Sequence, residues 1–105
     1  MTKVVKVSDF TKFPGPRYRK LGEFSGEEFR DDVLIPAINQ YGNDVIVDLD
    51  GTLGYGSSFL EECFGGLIRN GISKADALAL LSKIKSEEDK SLILEIESYI
   101  KDALV

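Results

Sequence analysis

Asp44-Val45-Ile46-Val47-Asp48-Leu49-Asp50-Gly51-Thr52 is the stretch whose reading decides the fold. Its β-branched run, closed by two carboxylates and a glycine, reads as a central strand covered on both faces and ending in a turn. On its N-terminal side, Gly42 stops a helix that begins at Ser25-Gly26-Glu27-Glu28, a Ser-x-x-Glu capping-box spacing. Phe29, Val33, Ala37 and Tyr41 fall on one face of that helix, and Pro36 is expected to kink or split it. Further back, Lys3 to Val7 reads as a first strand, Phe13-Pro14-Gly15-Pro16 as a break, and Arg17 to Phe24 as a short second strand, with a loop of basic surface as the alternative.

On its C-terminal side, Gly51, Gly54 and Gly56 loosen the chain before a second helix with the apolar stripe Phe59, Leu60, Cys63, Phe64, Leu67 and Ile68, ended by Gly71. Ser73-Lys74-Ala75-Asp76 has the look of a cap for a short helix or turn, and Leu80 to Lys85 reads as a strand, with helix as the alternative. Ser86-Glu87-Glu88-Asp89 opens a last helix whose apolar side carries Leu92, Ile93, Ile96, Ile100 and Leu104. The expected fold class is α/β: a small mixed sheet of about four strands packed against helices, in a single domain spanning 1–105.

Composition narrows the function. The formal charge of -5 repels phosphate backbones and anionic lipid, so neither nucleic acid nor a membrane is an expected partner. Cys63 is the one cysteine and histidine is absent, which excludes an intrachain disulfide, a Cys/His zinc cluster and a Ser-His or Cys-His catalytic pair. Met1 to Lys6 is too weakly apolar for a signal-peptide core, and no window approaches the roughly 18 apolar residues of a membrane span. The expected address is the cytoplasm, with no cofactor.

Two resemblances start from the same strand. Val45 to Leu53, an apolar strand ending in Asp-x-Asp-Gly-Thr, resembles the opening motif of the haloacid dehalogenase superfamily. That resemblance implies a Mg²⁺-dependent phosphatase with Asp48 as nucleophile and Asp50 as general acid/base, the metal neutralising the phosphoryl oxygens. Its remaining parts find only loose counterparts in Ser82, Lys83 and Glu87-Glu88-Asp89.

The second resemblance covers nearly the whole chain. Ser25-Gly26-Glu27-Glu28-Phe29, Val45 to Gly51, and Ser57-Ser58-Phe59-Leu60-Glu61-Glu62-Cys63-Phe64-Gly65-Gly66-Leu67 together resemble the STAS-like family of small bacterial and phage proteins, of the DUF4325 type. More distantly, a strand ending in Asp-Leu and followed about eight residues later by Ser-Ser and a helix is similar to the anti-sigma-factor antagonists. That likeness implies a regulatory protein-binding module. Ser58, and beside it Ser57, would be the phospho-acceptor of a partner ATPase of the histidine-kinase fold, and the helix they open would form the partner surface. Gly56 stands where the antagonists carry Asp, and Phe59 where they carry Gly. Tyr55, Phe59, Glu61, Glu62, Gly65, Gly66, Arg17 and Arg19 are the candidate contact residues; the oligomeric state is left open.

Most of these residues also have plainer readings. Ser58-Phe59-Leu60-Glu61 is itself a capping box, and Arg17, Arg19 and Lys20 could pair with the chain's own acids. Glu61 and Glu62 could be an ordinary solvated face. Gly65-Gly66, at roughly 1 kcal/mol each relative to Ala in a helix interior, calls for a close neighbour or a helix break. Cys63 reads as core.

Overall fold

The computed structural model describes residues 2–105; Met1, the first residue of the weakly apolar start, lies outside them. Strand β1 (Lys3–Lys6) runs straight into a single helical turn, α1 (Val7–Phe10). A connection with one 3-10 turn at Arg19–Leu21 leads to helix α2 over residues 26–41 and then to strand β2 (Val45–Asp48). Helix α3 over residues 57–69, helix α4 (Lys74–Leu81), strand β3 (Ile84–Lys85) and helix α5 (Ser91–Ala103) complete the chain.

The sheet is parallel throughout, in the order β1-β2-β3. Among the described residues it therefore has three strands rather than about four, and it is not mixed. β2 is its centre. Arg17 to Phe24 forms no strand, because Phe24 takes a left-handed backbone (φ 56) and the segment closes on itself, the Gly15 N–H donating to the Phe24 carbonyl at 2.9 Å. The expected strand over Leu80 to Lys85 shrinks to Ile84–Lys85: Ser73 caps α4 by accepting from the Asp76 N–H at 3.1 Å, and the helix runs on through Leu81. The two faces of β2 are covered unequally. Val45 and Val47 face the helices, whereas Ile46 is half-buried and its neighbour in register, Val4, is 48% exposed.

Ser25 starts α2 as read, its hydroxyl accepting from the Glu28 N–H at 3.0 Å, and Gly42 ends it with φ 61. The interior was misread in period. A π-helical stretch at Arg30–Leu34 brings Leu34 and Ile38 to the core beside Phe29 and Ala37, while Val33 and Tyr41 stay half-buried. The same wide turn resolves Pro36: a proline cannot give the N–H that an α-turn requires, and a π stretch just before it absorbs the mismatch without splitting the helix.

α3 is the central element. Phe59, Leu60, Cys63, Phe64 and Leu67 are each at most 1% exposed, as are Phe29, Leu34, Ile96 and Ile100 around them. Burying each large apolar side chain contributes roughly 1.5–3 kcal/mol. Among the described residues no helix is long and apolar enough to cross a membrane.

Gly26 sets how the starts of α2 and α3 cross, since a Cβ there would stand 2.5 Å from the main-chain oxygen of Phe59. Alanine is otherwise the better helix former, so Gly26→Ala should stabilise in a looser packing. In this one it is expected to cost about 1–3 kcal/mol, read as a lowered urea midpoint at unchanged slope.

Candidate functional site

The carboxyl ends of the parallel strands, where ligands and partners commonly engage open α/β sheets, hold the residues singled out by sequence. Loop 49–56, loop 86–90 and the start of α5 meet there around a cleft of about 390 Å³, lined among others by Leu49, Asp50, Leu53, Tyr55, Glu88 and Leu92, and loop 49–56 leads on into the start of α3.

Both carboxylates of the Asp-x-Asp stretch are engaged by this chain's own groups. Asp48 is buried, accepts from the Asp50 N–H at 2.9 Å and has the Lys85 ammonium 3.8 Å away. Asp50 accepts from the Glu88 N–H at 3.0 Å and the Glu87 N–H at 3.1 Å, and Glu88 in turn accepts from the Gly51 N–H. The two loops are clasped reciprocally. Glu87-Glu88-Asp89 thus forms a connecting loop, and α5 starts at Ser91 rather than at Ser86, whose hydroxyl turns to the Asp89 carbonyl. Ser82 donates to the Ala79 carbonyl and Lys83 to the Asn43 carbonyl, so the loose phosphatase counterparts have structural partners of their own. Among the described residues no three Cys, Asp or Glu side chains are grouped so as to hold a metal ion.

The Glu88 and Glu87 N–H groups hold the Asp50 carboxyl below its ordinary value. A depressed folded-state pKa gives stability that is present above the ordinary carboxylate value, about 4, and lost as pH falls through the lower folded one. The melting temperature is therefore expected to drop on acidification below about pH 5, and Asp50→Asn to flatten part of that drop. Glu61, held low by the Arg69 guanidinium, keeps its own share.

Ser57 and Ser58 occupy the first turn of α3, and both are exposed. The helix is capped by Gly56 with no side-chain hydrogen bond, which corrects the reading of Ser58 to Glu61 as a capping box. The backbone N–H groups of that turn remain open to solvent or to an anion. Just before it, the Tyr55 hydroxyl donates to the Leu49 carbonyl at 2.7 Å, its ring lies 5.9 Å from that of Phe59, and burial pushes its phenol up. Tyr55 thereby pins the loop to the helix.

The other contact candidates divide. Phe59, Glu62, Gly65 and Gly66 are buried within the chain. Arg30, a residue that sequence reasoning did not single out, is 5% exposed and bonds the 7% exposed Glu62 through Nη1, while its Nε donates to Asp31 at 2.8 Å. Gly66 makes room for this pair: a Cβ there would stand 2.5 Å from Arg30 Nη1. A Cβ on Gly65 would meet Glu61 Oε2 at 2.5 Å and the Tyr99 carbonyl at 3.3 Å. The double glycine thus answers to close neighbours, and α3 continues through it by a π-helical stretch at Glu61–Gly65. Sequence carried little signal for Arg30 beyond its place directly after the buried Phe29, because its partners Glu62 and Gly66 lie on another helix.

Arg17 pairs with Glu61 and, at 3.3 Å, with Glu62, while Arg69 bonds Glu61 at 2.7 Å and 3.1 Å. Arg19 pairs with Asp32 at 2.7 Å, and the Lys20 ammonium lies 5.7 Å from the Tyr18 ring centre. The basic loop is therefore held by acids of the same chain. Cys63 is fully buried and burial pushes its thiol up, so it packs as core.

Neither a curated protein nor a solved structure matches the chain. The model of the STAS-like domain of unknown function (DUF4325) matches residues 25–91, from the capping serine of α2 to the first residue of α5. With more than half of its length so matched, the chain belongs to the STAS-like domain family.

Proposed function

We propose that the chain is a regulatory protein-binding module whose contact surface is the opening turn of α3, with Ser58 as the residue that a partner ATPase of the histidine-kinase fold phosphorylates. One observation carries this reading: Ser58 is exposed at the start of a helix, and its hydroxyl caps nothing. A phosphoryl group adds about -1.5 to -2 of charge and three acceptor oxygens. The open N–H groups and the positive end of the helix dipole stabilise such an anion. Toward a partner, the added charge falls on a surface that already carries half-buried Glu61 one turn away. Binding and release are thereby coupled to one covalent event.

The test is incubation with ATP and the ATPase encoded beside its gene, followed by intact mass and peptide mapping. Phosphate on the peptide containing Ser58, absent from Ser58→Ala, is the expected result. Binding without phosphate leaves a binding module and removes the acceptor role; neither binding nor phosphate overturns both.

A further inference from the structure

We infer that the open edge of β1 is a docking site for one extended segment of a partner protein, apolar at its centre and acidic at its ends. The site is separate from the start of α3, and β1 lies outside the residues that match the family.

The backbone argument comes first. The Lys3 N–H donates to the Asp44 carbonyl at 2.8 Å, so Lys3 and Val5 turn their peptide groups toward β2. By strand alternation, the peptide groups of Val4 and the N–H of Lys6 then point away from the sheet. No strand pairs with that side of β1 among the described residues. An edge of this kind is a template for one more strand.

The side chains select what can pair there. A groove of about 440 Å³ runs along the edge between β1, α1 and α2, with Val4, Phe10 and Val33 supplying apolar surface. Lys3 and Lys6 line it, and neither has a carboxylate within ion-pair distance among the described residues. Asp48, next to Lys6 in register, is already taken by the Asp50 N–H and the Lys85 ammonium. Asp9, in α1 past the end of the strand, is the groove's one acid. In a chain of formal charge -5, two unpaired lysines on a four-residue edge favour an incoming segment with carboxylates opposite them. They also disfavour a second copy, since pairing two β1 edges would gather Lys3 and Lys6 of both chains in one short ribbon.

The experiment uses the full chain and two short synthetic peptides sharing a valine-threonine centre, one flanked by Asp and Glu, the other by Lys. Amide exchange followed by NMR should slow at Val4 and Lys6 with the acid-flanked peptide and stay unchanged with the lysine-flanked one. Lys3→Glu combined with Lys6→Glu should weaken binding about tenfold. Val4→Pro should abolish it at an unchanged melting temperature, because the Val4 N–H takes no part in the ladder to β2. Equal protection by both peptides would overturn the charge selection. Protection at these amides on raising the chain's own concentration without peptide would assign the edge to a second copy. Absence of protection with either peptide would overturn the site.

Discussion

Replacing Glu62 with leucine is expected to lower the unfolding free energy by about 3 kcal/mol. The loss comes less from the missing bond than from the cation left behind. Arg30 is 5% exposed, and without the Glu62 carboxylate its Nη1 keeps only the Glu62 carbonyl at 3.2 Å. Asp31 still holds Nε, which keeps the effect toward the lower end of what a broken buried pair produces. Removing both charges together, as Arg30→Met with Glu62→Leu, should recover most of the loss, because a buried ion pair and an apolar replacement of similar volume differ little in stability. Urea unfolding of the two single variants and the double variant reads the coupling directly. Independent effects would mean that the pair does not act as a unit between α2 and α3.

Phe59→Ala is expected to lower stability by about 3–5 kcal/mol. Its ring is 1% exposed and stands 6.2 Å from the ring of Phe29 and 5.9 Å from that of Tyr55, and a deletion there leaves a cavity where three elements meet. The variant also separates two roles proposed for the residue. A contact residue would weaken partner binding at constant stability; a core residue lowers the unfolding midpoint first, and an unchanged midpoint would count against the packing described.

Much of the architecture was legible because its signals are local. The valines of β2, the Ser25 cap, the stop at Gly42 and the stripe on α3 each follow from side-chain type and spacing over a few residues. What escaped depends on longer-range partners. Val45 and Val47 look the same in sequence whether one or both faces of the strand are covered, and only the exposed Val4 and half-buried Ile46 settle it. A π-helical turn shifts a stripe by one residue, which moved Leu34 and Ile38 inward against an α-helical count. Ser86 to Asp89 has the composition of a helix start, but its backbone N–H groups are claimed by Asp50, so the helix waits until Ser91. Ser58 met the capping-box pattern in the same way, and the helix begins two residues earlier, with Gly56 as its cap. At the proposed site, Ser57 and Ser58 were singled out from motif spacing and Tyr55 as a contact candidate beside them. The burial of Glu62, Gly65 and Gly66 was not, because Glu62 and Gly66 meet Arg30 and Gly65 meets Tyr99, each arriving from another helix.

The central claim is that the opening turn of α3 is where a partner binds and where Ser58 controls that binding. Its most direct test is the dissociation constant of the neighbouring ATPase for the unmodified chain, Ser58→Ala and Ser58→Glu. Ser58→Ala should keep the melting temperature of the unmodified chain, since the Ser58 side chain caps nothing, and Ser58→Glu should match or slightly exceed it, its carboxylate lying at the positive end of α3. Binding by Ser58→Ala like the unmodified chain, with Ser58→Glu weaker by at least about tenfold, is the predicted result; equal affinity of all three would contradict it.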